Sequence, residues 1–287
     1  MLRSLNRVFA MSLQLTAFSL MALAIISCSG GKMNTTNKVT FPTIKDVPAK
    51  AWQKLAQKRI YFGHQSVGNN ILDGVRDVMK ENPQVKLNIK ETSDPNDFNA
   101  PIFAHARVGK NMDPLSKCDS FADNMTQGLK QKVDIAFFKF CYIDILNATD
   151  VNQVFNTYKD TIERVKKNSP NTMIIHVTTP VRVVQTGLKV WTKKVIGRPI
   201  GGYDDNIKRE HFNTLLRKEY SGKEPIFDLA GIESIFPDGS RSTFKKDGKE
   251  YPALVPAYTN DGGHLNELGR KVVAEQFLIL LASLANK

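Results

Sequence analysis

The chain has 287 residues, 41% of them hydrophobic, with 40 Lys and Arg against 28 Asp and Glu, a formal net charge of +12 and three cysteines. That length and apolar content suffice for one substantial core and exclude a collagen-like or disordered chain, and no shift in composition divides the sequence in two. The cysteines are too few for a disulfide framework, and basic runs without interleaved aromatics match no nucleic-acid-binding motif. The positive charge suits anionic surfaces such as lipid headgroups or acidic polysaccharide, although lysines scattered over many segments also describe an ordinary solvated exterior.

Arg3 and Arg7 precede an uncharged stretch, 8–31, that contains Ile25-Ile-Ser-Cys28. A basic start, an apolar middle and a small residue before the break predict a secretory signal over 1–27, with an uncleaved transmembrane anchor as the alternative. Those four residues resemble a bacterial lipobox, which implies that Cys28 is lipidated and heads the mature chain, with a net charge of +10 once Arg3 and Arg7 are removed. The folded part is then expected outside the cytoplasm in the cell envelope, held to a membrane by lipid. Residues 29–40 offer little to pack and read as a flexible tether, so the domain is expected over 41–287. Cys118 and Cys141 can pair in an oxidising compartment or stay as partly buried thiols; spacing alone does not decide.

Helical spacing of Trp52, Leu55 and Ala56 predicts a first helix over 48–58, and a first strand follows at 59–62. Ile71, Leu72, Val75, Val78 and Met79 form one stripe and predict a helix over 69–81, stopped by Asn82-Pro83. Alternation over 85–91 predicts a more exposed strand, and a third loop on the carboxyl edge is expected at Gly109, before a helix over 112–132. The apolar run 133–143 reads as a strand buried on both faces and the centre of the sheet. A helix over 151–167, a buried strand over 172–179, a helix over 206–220, a short strand at 225–230 and a closing helix over 267–286 complete the alternation. Residues 181–205, with Gly, Pro, Lys and Trp191, form a long loop of the kind that walls a pocket, and 236–251, with two Asp-Gly pairs, reads as an inserted hairpin. Strands alternating with helices predict an α/β fold, a mostly parallel sheet covered on both sides.

Two stretches carry chemistry. In Tyr61-Phe-Gly-His-Gln-Ser66 a strand turns into a helix with a serine on the crest, where free helical N–H groups favour an oxyanion. In Asp261-Gly-Gly-His264 a tight turn lets a carboxylate hold an imidazole, the arrangement that makes a histidine a base for a serine. Taken alone, the second motif reads more readily as a turn-forming aspartate and a helix-start histidine. Joined in order, the serine after the first strand, the glycine after a later one, the polar cluster after the central strand and Asp-x-x-His before the last helix resemble the blocks of the SGNH (GDSL-type) hydrolase family.

The resemblance implies a three-layer α/β/α sandwich with a flavodoxin-like sheet, no cofactor, and catalysis by Ser66 as nucleophile, His264 as base and Asp261 as its orienting partner. It implies an oxyanion hole that includes the N–H groups of Ser66 and Gly109. The sequence departs from the family at Gly63-His64-Gln65-Ser66, where Gly-Asp-Ser is usual, and at the end of the central strand, Lys139-Phe-Cys-Tyr-Ile-Asp144, which lacks the usual asparagine. The oxyanion hole is then expected to use Tyr142, Lys139 or backbone groups alone. His64, Gln65, Lys139, Asp144 and Trp191 are expected to contact substrate, with Lys139 paired to Asp144 or Asp134 because a buried lysine is costly alone. His105 and His176 read as packed residues, and Asn213, in the helix before the last strand, receives no catalytic role.

Three functions are compatible with these residues. A serine esterase would cleave a small acyl ester, such as an O-acetyl group on a glycan, through an acyl-enzyme. A lipoprotein on the same scaffold would bind glycan or cell wall without turnover. A metal-dependent hydrolase would use His64, Asp261 and His264 as ligands, a set with no full first shell.

Overall fold

Strand β1 (Arg59–His64) turns Ile60 and Phe62 to one side and Tyr61 to the other, and all three are buried, so it is covered on both faces. This is a computed structural model, which describes residues 38–185 and 201–285. Cys28, the expected lipidation site, with the expected signal, most of the expected tether and Trp191, lies outside those residues. Lys38–Thr40 are described, and the N–H of Val39 donates to the carbonyl of Gly239 at 2.9 Å.

β1 pairs in parallel with β3 (Ile102–Arg107) on one side and β4 (Ile135–Phe138) on the other, and β2 (Ile89–Glu91) adds to the far edge of β3. β5 (Met173–Ile174) follows β4, giving a five-stranded parallel sheet in the order β2-β3-β1-β4-β5. One residue later the chain changes partner: Ile175 still donates to Ala136, whereas His176 donates to Pro225, and β6 (His176–Val177) pairs with β7 (Ile226–Phe227). The expected strand over 172–179 is therefore two short pieces.

Helices cover both faces. α1 (Ala49–Leu55), α2 (Ser66–Glu81) and α7 (Glu267–Ala285) pack with Phe62, Phe103 and Phe137 in one apolar layer. α3 (Pro114–Asp123), α4 (Val151–Asn168) and α5 (Tyr203–Tyr220) pack with Tyr61, Ala136 and Phe138 in the other. The sandwich expected from the sequence is present, with β2 as an extra edge strand beyond a flavodoxin-like order. The short α6 (Leu229–Glu233) follows β7, and β8 (Thr243–Lys246) and β9 (Lys249–Pro252) form the expected antiparallel hairpin. Among the described residues no helix is long and apolar enough to cross a membrane.

Several boundaries differ from the periodicity. β1, not the 133–143 run, is the middle strand of the five. β4 stops at Phe138, because the Asp144 carboxylate accepts the N–H of Cys141 at 2.6 Å and the Asp144 N–H returns to the Cys141 carbonyl, closing a turn where a strand was expected. The expected helix over 112–132 is α3 followed by a π turn, Asn124–Gly128, and α5 begins three residues early at Tyr203. α2 begins at Ser66 rather than 69, with Gly68 in its first turn. Cys118 and Cys141 are both buried and unpaired.

Candidate active site

Ser66 is the first residue of α2, directly after an extended Gln65, so its N–H has no partner in a preceding helical turn. Its Oγ lies 3.1 Å from Nε2 of His264, and Nδ1 of His264 lies 2.6 Å from Oδ2 of Asp261. The carboxylate can only accept, so Nδ1 carries the proton and Nε2 is left to accept from the serine hydroxyl. Burial alone would raise the Asp261 carboxyl, yet hydrogen bonds from the His264 ring and from the His264 and Gly263 N–H groups hold it well below the usual carboxylate range. The His264 and Asp261 side chains remain 39% and 56% exposed, so the pair is open to solvent.

The turn carrying this pair is gripped from outside. Arg182 donates Nε to the carbonyl of Gly262 and Nη2 to that of Asp261, both at 3.3 Å, and its guanidinium lies 5.1 Å from the centre of the Tyr142 ring. Arg209, buried on α5, approaches the same ring at 5.9 Å and donates to the Tyr142 carbonyl at 2.8 Å. Burial lowers the Arg209 guanidinium to about 10. Asn206 links the two arginines, accepting from the Arg182 N–H at 3.0 Å and from Arg209 Nη1 at 2.7 Å. Asn213 clamps the N–H and the carbonyl of Thr179, just past β6. Asn206, Arg209 and Asn213 are all buried on α5. Polar residues at helical spacing on a face that must pack are the sequence signal for these three; Arg182, in a stretch without periodicity, has none.

Gly109 sits at φ +54°, and a side chain there would meet the Lys117 nitrogen at 2.5 Å, so only glycine fits. Among the described residues its N–H has no hydrogen-bond partner. The Tyr142 hydroxyl lies against the His264 imidazole, 3.3 Å from Nδ1.

The four described residues expected to touch substrate have their polar groups bonded inside the protein. His64 is buried, donates from Nδ1 to the Gln65 carbonyl at 2.9 Å and accepts at Nε2 from His105 at 3.1 Å. Burial pushes its imidazole down to about 3, and lowers that of His105 as well, so the pair is neutral. The His64 ring lies over Gly68, where a Cβ would come within 2.3 Å of it, which explains a glycine in the first turn of α2. Gln65 donates to the carbonyls of Val108 and Gly109. Asp144 accepts from the N–H groups of Met112 and Cys141 and pairs with Lys117, not Lys139. Asp134 pairs with Arg59. Lys139 is buried, with Nζ 3.3 Å from the Phe140 carbonyl and 3.4 Å from the Cys141 sulfur. His176 is packed as expected, between the Tyr158 hydroxyl and Glu224. Among the described residues no group of three His, Cys, Asp or Glu is arranged to hold a metal ion.

No protein-family model matches the sequence, and no curated protein does. Among solved structures the chain is similar to a GDSL-like lipase from Bacteroides thetaiotaomicron at 14% identity and a TM-score of 0.51, over 82% of this chain and 96% of that one. The fold is SGNH-like. A family 3 carbohydrate esterase from Clostridium thermocellum matches at 12% identity and a TM-score of 0.43, over 79% and 98% of the two chains. A member of the lipolytic G-D-S-L family from Veillonella parvula does so at 12% and 0.42, over 76% and 94%. The structural neighbours are thus SGNH/GDSL-like lipases and carbohydrate esterases, at identities that speak to the fold alone.

Proposed function

We propose that the protein is a serine esterase, and the observation that carries the reading is the unbroken relay from Ser66 Oγ through His264 to Asp261, at 3.1 and 2.6 Å. Ser66 Oγ attacks the acyl carbonyl while His264 Nε2 takes its proton, and the imidazolium so formed is stabilised by Asp261. The carbonyl oxygen becomes an oxyanion, received by the N–H groups of Ser66 and Gly109. His264 then protonates the departing alcohol, leaving an acyl-Ser66 ester. Water, deprotonated by His264, attacks that ester, and collapse of the second tetrahedral intermediate frees the acid and restores the serine. The substrate class is a small acyl ester, with an O-acetyl group on a glycan as the form suited to a lipid-anchored protein of the cell envelope. That location is itself part of the proposal and rests on the Ile25-Ile-Ser-Cys28 pattern.

The test is hydrolysis of a short-chain chromogenic acetate, with labelling by a fluorophosphonate probe alongside. Ser66→Ala and His264→Ala are expected to lower kcat by on the order of 10⁴-fold or more, and Asp261→Asn by about 10⁴-fold. A Ser66→Ala protein that hydrolyses and labels like wild type would remove Ser66 as the nucleophile. Binding of acetylated glycan by a wild-type protein that neither labels nor turns over would support the glycan-binding reading instead.

A further inference from the structure

We propose that Gln65 is the positioning residue that aims the Gly109 N–H and couples it to Ser66; this rests on the esterase reading. The side-chain amide of Gln65 donates from Nε2 to the Gly109 carbonyl at 2.9 Å and to the Val108 carbonyl at 3.2 Å. Both partners are carbonyls, so the amide orientation is fixed by the contacts themselves. The Val108 carbonyl belongs to the same peptide unit as the Gly109 N–H. That unit is planar and trans, with its C=O and N–H pointing in opposite directions, so holding the oxygen sets the direction of the N–H.

The rest of the loop is already tied on either side. The Val108 N–H donates to the His64 carbonyl at 3.1 Å, and the Lys110 N–H donates to Ser116 Oγ at 2.9 Å. What remains free is rotation of the peptide between Val108 and Gly109, made easy by a glycine at φ +54°, and Gln65 blocks it. Gln65 is itself anchored, because its carbonyl accepts from His64 Nδ1 at 2.9 Å and from the Gly68 N–H at 2.8 Å. It adjoins Ser66, so a single residue spans the two N–H donors. The histidine pair behind it, His64 and His105, completes the brace. A carboxylate at this position would face two carbonyl oxygens with no proton to offer, and an amide meets the need.

The experiment compares wild type with Gln65→Met, which keeps the length and removes the donors, and Gln65→Glu, which keeps the shape and reverses the polarity. In 15N relaxation of the free protein, the Gly109 amide is expected to fall from a rigid order parameter of about 0.85 to below about 0.6 in both variants. In acetate-ester hydrolysis, kcat is expected to fall by on the order of 10- to 100-fold with KM within about twofold, and affinity for a boronic acid whose tetrahedral adduct mimics the transition state should fall by the same factor. An unchanged Gly109 amide overturns the proposal, as does unchanged kcat; a raised KM at constant kcat would make Gln65 a substrate contact. If wild type neither labels with fluorophosphonate nor turns over, the esterase reading fails separately and the Gly109 amide still decides the clamp. A loss of melting temperature with unaltered kcat and boronate affinity would reduce Gln65 to a structural role.

Discussion

The hydroxyl of Tyr142 lies 3.3 Å from Nδ1 and 3.5 Å from Nε2 of His264, beside the ring edge between the two nitrogens. Both nitrogens already have partners in Asp261 and Ser66, so the hydroxyl acts as a stop against rotation of the imidazole. Burial, with the Asp261 charge nearby, raises the Tyr142 phenol above its usual range, so it stays protonated at neutral pH. Tyr142→Phe keeps the ring between the two arginines and is expected to lower kcat by about tenfold at unchanged KM. Steady-state kinetics checks this, and an unaltered kcat would show that Asp261 alone orients the ring.

The pH dependence of stability follows from three buried groups. Burial lowers His64 to about 3 and His176 to about 4, from 6.5. Between those values and 6.5 the unfolded chain takes up protons that the folded state refuses, so stability falls as the pH drops, by up to about 1.4 kcal/mol per unit for each histidine. Burial raises Glu233 from 4.5 to about 8, and here the folded state holds the proton, so its contribution is full below pH 4.5 and is lost as the pH rises through about 8. The two histidines outweigh the one glutamate below pH 6.5 and leave it alone above, so the melting temperature is expected to peak near pH 6.5. Melting curves from pH 4.5 to 8.5 test this, and Glu233→Gln should flatten the alkaline side and steepen the acid side, because the glutamate opposes the histidines between pH 4.5 and 6.5.

Lys117 and Asp144 form an ion pair with no exposed side-chain surface, and the same carboxylate holds the N–H groups of Met112 and Cys141. Asp144→Asn leaves a buried lysine without its counter-charge and is expected to cost about 3–5 kcal/mol in urea unfolding. Adding Lys117→Met should recover part of that loss, because it removes the stranded charge. Equal stability of the single and double variants would show that the lysine charge reaches water when Asp144 is changed.

The fold was legible in the sequence wherever burial is two-sided or helical faces are long: β1, α2, α4 and α7 stand close to where their periodicity puts them. Short strands were not, since β6 and β7 are two residues each and depend on a partner switch at Ile175 that no local pattern encodes. Ser66, Asp261 and His264 were readable because each sits in a turn whose local chemistry is distinctive, and the structure brings them together. His64 and Gln65 were expected at the substrate as polar residues beside a nucleophile, whereas the partners the structure gives them, His105 and the Val108–Gly109 carbonyls, are supplied by another strand and its loop, which no local pattern announces. Lys139 was expected beside a carboxylate; Asp144 turns instead to Lys117, from a helix 27 residues upstream.

Ser66 and His264 are 198 positions apart in the chain, and α7, which follows the histidine, is fixed to α2, which carries the serine, by Arg270 to Asp77 at 2.7 Å and Lys271 to Glu81 at 2.6 Å. On a ribosome the serine emerges roughly 10–40 s before its base. Throughout that interval, and for as long as the chain stays unfolded, Ser66 is an ordinary alcohol with nothing to deprotonate it. Assembly of the site therefore waits for α7 to dock on α2, and a lesion on that seam is expected to separate Ser66 from His264 without touching either side chain.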